Sequence, residues 1–159
     1  MTPSRVFGGL LAVATLGFSS AVPAAGTAAA GRAAGPAVTV YKSSTCGCCK
    51  KWVDHLRTKG FVVTARDMED MDEVKASYGV PAEAQSCHTA VVGGYVVEGH
   101  VPADVIAKLL REKPKVAGIA APGMPVGSPG MEVPGTPPDR YDVVSWTKGS
   151  KSTQVYAKR

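Results

Sequence analysis

Apolar and polar positions recur along this 159-residue chain with two different periods, and the places where the period changes mark its elements. Ala37 to Lys42 (AVTVYK) is β-branched and apolar and predicts a buried strand. Ser43, Ser44 and Thr45 follow with N-cap oxygens, so a helix is expected to start near Cys46 to Cys48. Cys49, Trp52, Val53 and Leu56 share one helical face, and Gly60 ends that helix as a C-cap. Phe61 to Arg66 reads as a second strand. Asp67 to Tyr78 reads as a second helix, with acidic residues in its first turn and a stripe of Met71, Val74 and Tyr78; Gly79 and Pro81 stop it. Thr89 to Val92 and Tyr95 to Val97 flank Gly93-Gly94, a tight-hairpin signal. Pro102 sits near the first turn of a third helix with the stripe Val105, Ile106, Leu109 and Leu110, closed by Pro114.

The order strand, helix, strand, helix, hairpin, helix predicts an α/β, three-layer fold of the thioredoxin/glutaredoxin kind, its mixed sheet containing one parallel pair and one antiparallel hairpin. Ala117 to Asp139 is Gly/Pro-rich with too little periodicity for helix or strand. Tyr141 to Trp146 (YDVVSW) reads as one more strand on a sheet edge, and the last dozen residues are polar and expected to be mobile. The length suits one domain. It divides as 1–24 leader, 25–36 Ala/Gly-rich linker, 37–113 main domain, and 114–159 a Gly/Pro/Met loop and C-terminal strand packed on that same domain.

Charge removes some function classes. The net charge is +5 and no Lys/Arg block or aromatic-interleaved basic stripe is present, so nucleic acid is set aside as a partner. Arg5, the apolar run Val6 to Leu16 and the small-residue site Val22-Pro23-Ala24 predict a cleaved signal peptide cut after Ala24. The apolar run is short for a membrane span, so no stable insertion is expected after cleavage. A monomer is expected, because no exposed amphipathic interface stands out.

Export changes the meaning of the four cysteines. In an oxidising compartment they would ordinarily form two structural disulfides. Here Cys46, Cys48 and Cys49 lie within four residues, and loops that short add little stabilisation when closed. The clustering argues for chemistry rather than stapling. Cys46 and Cys49 form a CxxC pair at a helix N-terminus, where free N–H groups and the positive dipole end favour thiolate. Cys49 lies on the buried face and Cys46 is expected outside it. Cys48 would compete in a dithiol exchanger, whereas three thiolates in one loop can converge on soft metal, Cu(I) before Zn(II). Cys87-His88 precedes the hairpin, on the loop that faces the CxxC loop in a thioredoxin fold. Of the other histidines, His100 after the hairpin and His55 beside Lys51 and Lys59 read as surface residues. Met124 in the loop GMPVGSPGME is a candidate thioether ligand; Met131 reads as packing, and Met68 and Met71 as core.

The TCGCCKKW opening, the stretch SCHTAVVGGYVVEGHVP and the loop GMPVGSPGME together resemble the CopG-like family of periplasmic copper-associated proteins, over residues 37 to 146. The resemblance implies a thioredoxin-like fold, a role in copper resistance, and copper held by Cys46, Cys48, Cys49 and Cys87 with His88 added, as a sulfur-bridged cluster of several ions. Partners would then be copper ions and periplasmic copper-handling proteins. Thioredoxin-fold exchangers place a cis-proline opposite the CxxC, and here Cys87-His88 takes that place, which weakens the case for disulfide exchange. A copper-dependent oxidoreductase activity is left open. The alternatives are a thiol–disulfide oxidoreductase using Cys46 and Cys49, and a zinc-stabilised structural module.

Overall fold

The computed structural model describes residues 1–2 and 35–159. The expected leader (1–24) and most of the expected linker (25–36) therefore lie outside the described residues. The rest forms a mixed α/β fold around one seven-stranded sheet.

Strand β1 (Ala37–Lys42) lies beside β2 (Val62–Asp67), parallel, with helix α1 (Gly47–Thr58) crossing between them. Helix α2 (Met71–Ser77) and a short 3-10 turn (Ala82–Ala84) lead into the hairpin of β3 (Thr89–Val92) and β4 (Tyr95–Gly99). Gly93 and Gly94 both have positive φ, 56° and 84°, as a tight turn with the sheet's own twist requires. Strand β3 runs antiparallel to β1. Helix α3 (Ala103–Glu112) then returns the chain to β5 (Gly118–Ala121), parallel to β4, and β6 (Asp142–Trp146) and β7 (Gln154–Lys158) complete the order β2-β1-β3-β4-β5-β6-β7.

Alternation along the strands divides the core between the two faces. Val38, Val40, Val97 and Ile119 meet Trp52, Val53 and Leu56 of α1 and Val105, Ile106 and Leu109 of α3. On the opposite face Val96, Ala120 and Trp146 meet Val80 and Ala84.

Four expectations need correction. The Gly/Pro-rich segment contains β5, which the reading of 117–139 as structureless missed. All four of its residues are buried, so it shows no alternation, and Gly118 admits the Val96 carbonyl and the Trp146 ring where a Cβ would stand 2.5 and 2.6 Å from them. Strand β6 is internal rather than an edge, because β7 covers it. The polar tail is that covering strand; it is tied to α3 by Arg159–Asp104 (2.6 Å), by Tyr156 to Glu112 (3.0 Å) and by Lys108 stacked over the Tyr156 ring. Finally, β2 runs on through Asp67, so α2 begins only at Met71, with Asp70 accepting from the Asp72 and Glu73 amides at 2.9 Å each. Met68 thus precedes the helix, and Met68 and Met71 are half-buried rather than core.

One buried ion pair joins α2 to the hairpin. Lys75 Nζ lies 2.6 Å from Glu98 Oε1, and both residues are buried. The same carboxylate accepts from the Ser86 amide (2.7 Å) and the Thr89 hydroxyl (2.6 Å). Lys75→Met should therefore lower stability by about 3–5 kcal/mol in a denaturant titration, because it leaves the Glu98 carboxylate buried without its cation. A loss under about 1 kcal/mol would show that the other donors suffice.

Candidate metal centre

Two loops at the same end of the sheet carry the cysteines. The first joins β1 to α1. Cys46 is the residue before the helix, and its Sγ accepts from the Cys49 amide at 3.3 Å. The N-cap expected of Ser43, Ser44 or Thr45 is therefore supplied by sulfur; the Ser43 and Thr45 hydroxyls instead face each other at 3.0 Å. A cap must sit next to the first helical residue, which here is Gly47. Cys49 is fully buried on the helix's inner face, and Cys46 is half-buried. The two form a disulfide. Cys48 is outside it, with its Sγ 3.5 Å from that of Cys46.

The second loop runs from the 3-10 turn to β3 and carries Cys87 and His88. Its sulfur completes a group in which the Sγ atoms of Cys46, Cys48, Cys49 and Cys87 all lie within 4.8 Å of one another. His88 is 0 % exposed, its Nδ1 is 3.3 Å from Cys87 Sγ, and its ring lies 4.4 Å from that of Trp52, centroid to centroid. Trp52 is itself fixed by donating to the Val101 carbonyl at 2.9 Å.

His100 contradicts the surface reading: it is 0 % exposed, and its Nε2 is 3.0 Å from Cys87 Sγ. Gly99, at φ 70°, ends β4 and turns the chain inward there; a Cβ on it would meet Ser86 and the Ala121 carbonyl. His100 Nδ1 faces the Pro129 carbonyl at 2.8 Å. A carbonyl only accepts, so Nδ1 carries the proton and Nε2 offers its lone pair to the Cys87 S–H. His55 is half-buried rather than on the surface, its Nε2 accepting from the Ala103 amide at 3.3 Å.

The loop of residues 122–132 covers this end of the molecule. Gly130, at φ 88°, packs so closely that a Cβ would stand 2.8 Å from the Cys48 carbonyl and 2.9 Å from the Trp52 amide. Ser86 Oγ bonds to the Gly123 carbonyl, and the Gly123 amide bonds to Gln85 O at 3.2 Å. Met124 comes next in the chain and is 54 % exposed, and Met131 is half-buried.

A family described as a protein of unknown function, DUF411, matches residues 84–131, which span the Cys87 loop, the hairpin and the covering loop. A solved structure titled copper resistance protein copG, form 2, is 48% identical, with a TM-score of 0.73, covering 79% of this chain and 98% of its own. Form 1 is 49% identical, with a TM-score of 0.71, covering 77% and 96%. The chain belongs to the CopG copper resistance protein family. No curated protein sequence matches it.

The donor chemistry of this CopG-family chain fits a soft or borderline ion: four sulfurs together, with imidazoles beside the fourth. Burial pushes the Cys87 thiol up to about 12, with the neighbouring Cys48 adding to the shift, so it is protonated at neutral pH and a metal ion binding there would have to displace that proton. Burial also holds His88 well below its ordinary 6.5, helped by His100 and Lys75, and lowers His100. Both rings are thus neutral, the form that ligates. His88 Nε2 is buried and has no hydrogen-bond partner among the described residues.

These shifts set a pH dependence. Below pH 6.5 the unfolded chain takes up protons on histidines that the fold keeps neutral, so stability falls as pH drops through that window. Glu98, raised by burial, acts in the opposite sense, so the informative quantity is the difference from His88→Gln. Thermal unfolding of the metal-free protein between pH 7.5 and 5.5 should show a smaller loss in His88→Gln, by up to about 1.4 kcal/mol per pH unit. Identical pH profiles would mean that His88 protonates freely in the fold.

Proposed function

We propose that this protein is a periplasmic copper-binding protein of copper resistance that holds Cu(I) on Cys46, Cys48, Cys49 and Cys87, with His88 and Met124 as supporting ligands. The convergence of four sulfurs from two loops within 4.8 Å carries this reading. Sulfurs packed that closely can bridge ions, so the cargo is more than one copper ion, in a sulfur-bridged cluster; zinc is the less favoured occupant. The four-sulfur shell is available only when the Cys46–Cys49 disulfide is open, which takes two electrons and two protons from a thiol reductant. Copper bound there can cycle between Cu(I) and Cu(II).

The strand order β2-β1-β3-β4, with its parallel β1–β2 crossover and cysteines at the β1–α1 junction, supports a thioredoxin-like core, and β5, β6 and β7 extend the same domain. The leader read from Arg5 to Ala24 supports export to the periplasm and cleavage. Among the described residues no helix is long and apolar enough to cross a membrane. The protein works as a monomer that exchanges copper with other periplasmic proteins.

One observation favours a second reading. The closed Cys46–Cys49 disulfide, with the Cys48 thiol 3.5 Å from Cys46 Sγ, is also the resting form of a thiol–disulfide oxidoreductase. Anaerobic Cu(I) titration of the reduced mature protein, paired with insulin reduction, separates the two. The copper reading expects more than one equivalent of Cu(I) bound, with Cys48→Ser and Cys87→Ser each losing at least about tenfold in affinity. Insulin reduction that persists in Cys48→Ser, together with no Cu(I) retained by the parent protein, would favour the oxidoreductase instead.

A further inference from the structure

Cys87 belongs to two ligand groups at once. One is the four-sulfur group above. The other is Cys87, His88 and His100, whose ligand atoms also lie within 4.8 Å of one another. We propose that this second group is a further metal position, a mixed imidazole–thiolate set completed by His100 that takes a divalent ion of borderline softness and shares Cys87 and His88 with the copper shell. The sharing of Cys87 and His88 rests on the copper reading; the three-ligand position itself does not.

Three observations carry it. First, His100 is oriented as ligating histidines are. Its Nδ1–H is spent on the Pro129 carbonyl at 2.8 Å, which fixes the tautomer and turns the Nε2 lone pair onto Cys87 Sγ at 3.0 Å. Second, His88 is a buried imidazole whose Nδ1 lies 3.3 Å from that same sulfur, while its Nε2 makes no hydrogen bond among the described residues. A neutral imidazole so placed gains from an ion that accepts its lone pair. Third, the two rings meet edge to face, 5.0 Å between centroids, and Trp52 closes one side of His88, so the imidazoles are held in place before any ion arrives.

Two imidazoles and one thiolate differ in chemistry from four thiolates. The all-sulfur group suits Cu(I), whereas nitrogen and sulfur together suit Zn(II), Co(II) or Cu(II), with a fourth position left to solvent or an incoming group. The two positions also respond differently to oxidation. Closing the Cys46–Cys49 disulfide removes two of the four sulfurs and none of the Cys87, His88, His100 set. The oxidised protein therefore retains a complete site for a divalent ion.

The test is a Co(II) titration of the mature Cys48→Ser protein with the Cys46–Cys49 disulfide closed, so that Cys87 is the one thiol left. The expected result is one equivalent of Co(II) giving a sulfur-to-cobalt charge-transfer band, absent in the further variant Cys87→Ser and at least about tenfold weaker in apparent affinity in His100→Asn. The unmutated oxidised chain supplies a second readout free of folding effects: Zn(II) should shift the ¹⁵N resonances of His88 and His100 together and leave that of His55 in place. No charge-transfer band, or a band indifferent to His100→Asn with unmoved His100 resonances, overturns the proposal. Should the reduced protein take up Cu(I) while Co(II) fails here, this inference alone is wrong. Should Co(II) bind while the reduced protein holds no Cu(I), it is the copper reading that fails.

Discussion

The candidate metal centre depends on a carboxylate that is not one of its donors. Glu98 is buried in β4, and its two oxygens gather the Ser86 amide, the Thr89 hydroxyl and the Lys75 ammonium. Ser86 and Thr89 bracket Cys87 and His88, so the loop that delivers the fourth sulfur is clamped at both ends from the far side of the sheet. A loop held by backbone turns alone would place that sulfur loosely, and shells of close-packed sulfurs tolerate little looseness. A buried charge is an expensive way to build a clamp, because burial alone pushes the Glu98 carboxyl upward against the pull of Lys75. Its use here is consistent with a loop whose position matters more than its contribution to stability.

The cover over the site works by the same logic from outside. Gly130 lets the 122–132 loop lie directly on the first turn of α1, and Pro129 turns its carbonyl onto His100. One loop thus shields the Cys48 backbone and sets the tautomer of a buried histidine. Burial then holds both imidazoles neutral and the Cys87 thiol protonated, so these three donors are uncharged. A metal ion entering here would have to displace the thiol proton, and the thiolate so formed would be stabilised by the ion.

Much of this was legible in the chain. The strand at Ala37–Lys42, the buried face of Cys49, Trp52, Val53 and Leu56, the Gly93-Gly94 hairpin and the stripe of α3 each carry a strong period or turn signal, and each stands where the pattern puts it. Strand β5 was illegible because a strand buried on both faces, made of Gly, Ile and Ala, has no alternation to read. Strand β7 was illegible because its residues are mostly solvated and its pairing with β6 is set by tertiary context. The Cys46–Cys48–Cys49 cluster was visible from spacing alone. The part of His100 was not: a histidine just past a strand end reads as surface, and only the inward turn at Gly99 and the loop folded over it place the ring beside Cys87.

The central claim is that four cysteine sulfurs from two loops form one copper shell when the disulfide is open. Copper K-edge absorption on the reduced, copper-loaded protein reads that shell directly. The account predicts a Cu(I) edge and a first shell made mainly of sulfur, with a copper–copper scattering path that marks bridging. A Cu(II) edge with a nitrogen and oxygen shell under those conditions would contradict it, whatever the affinity measured.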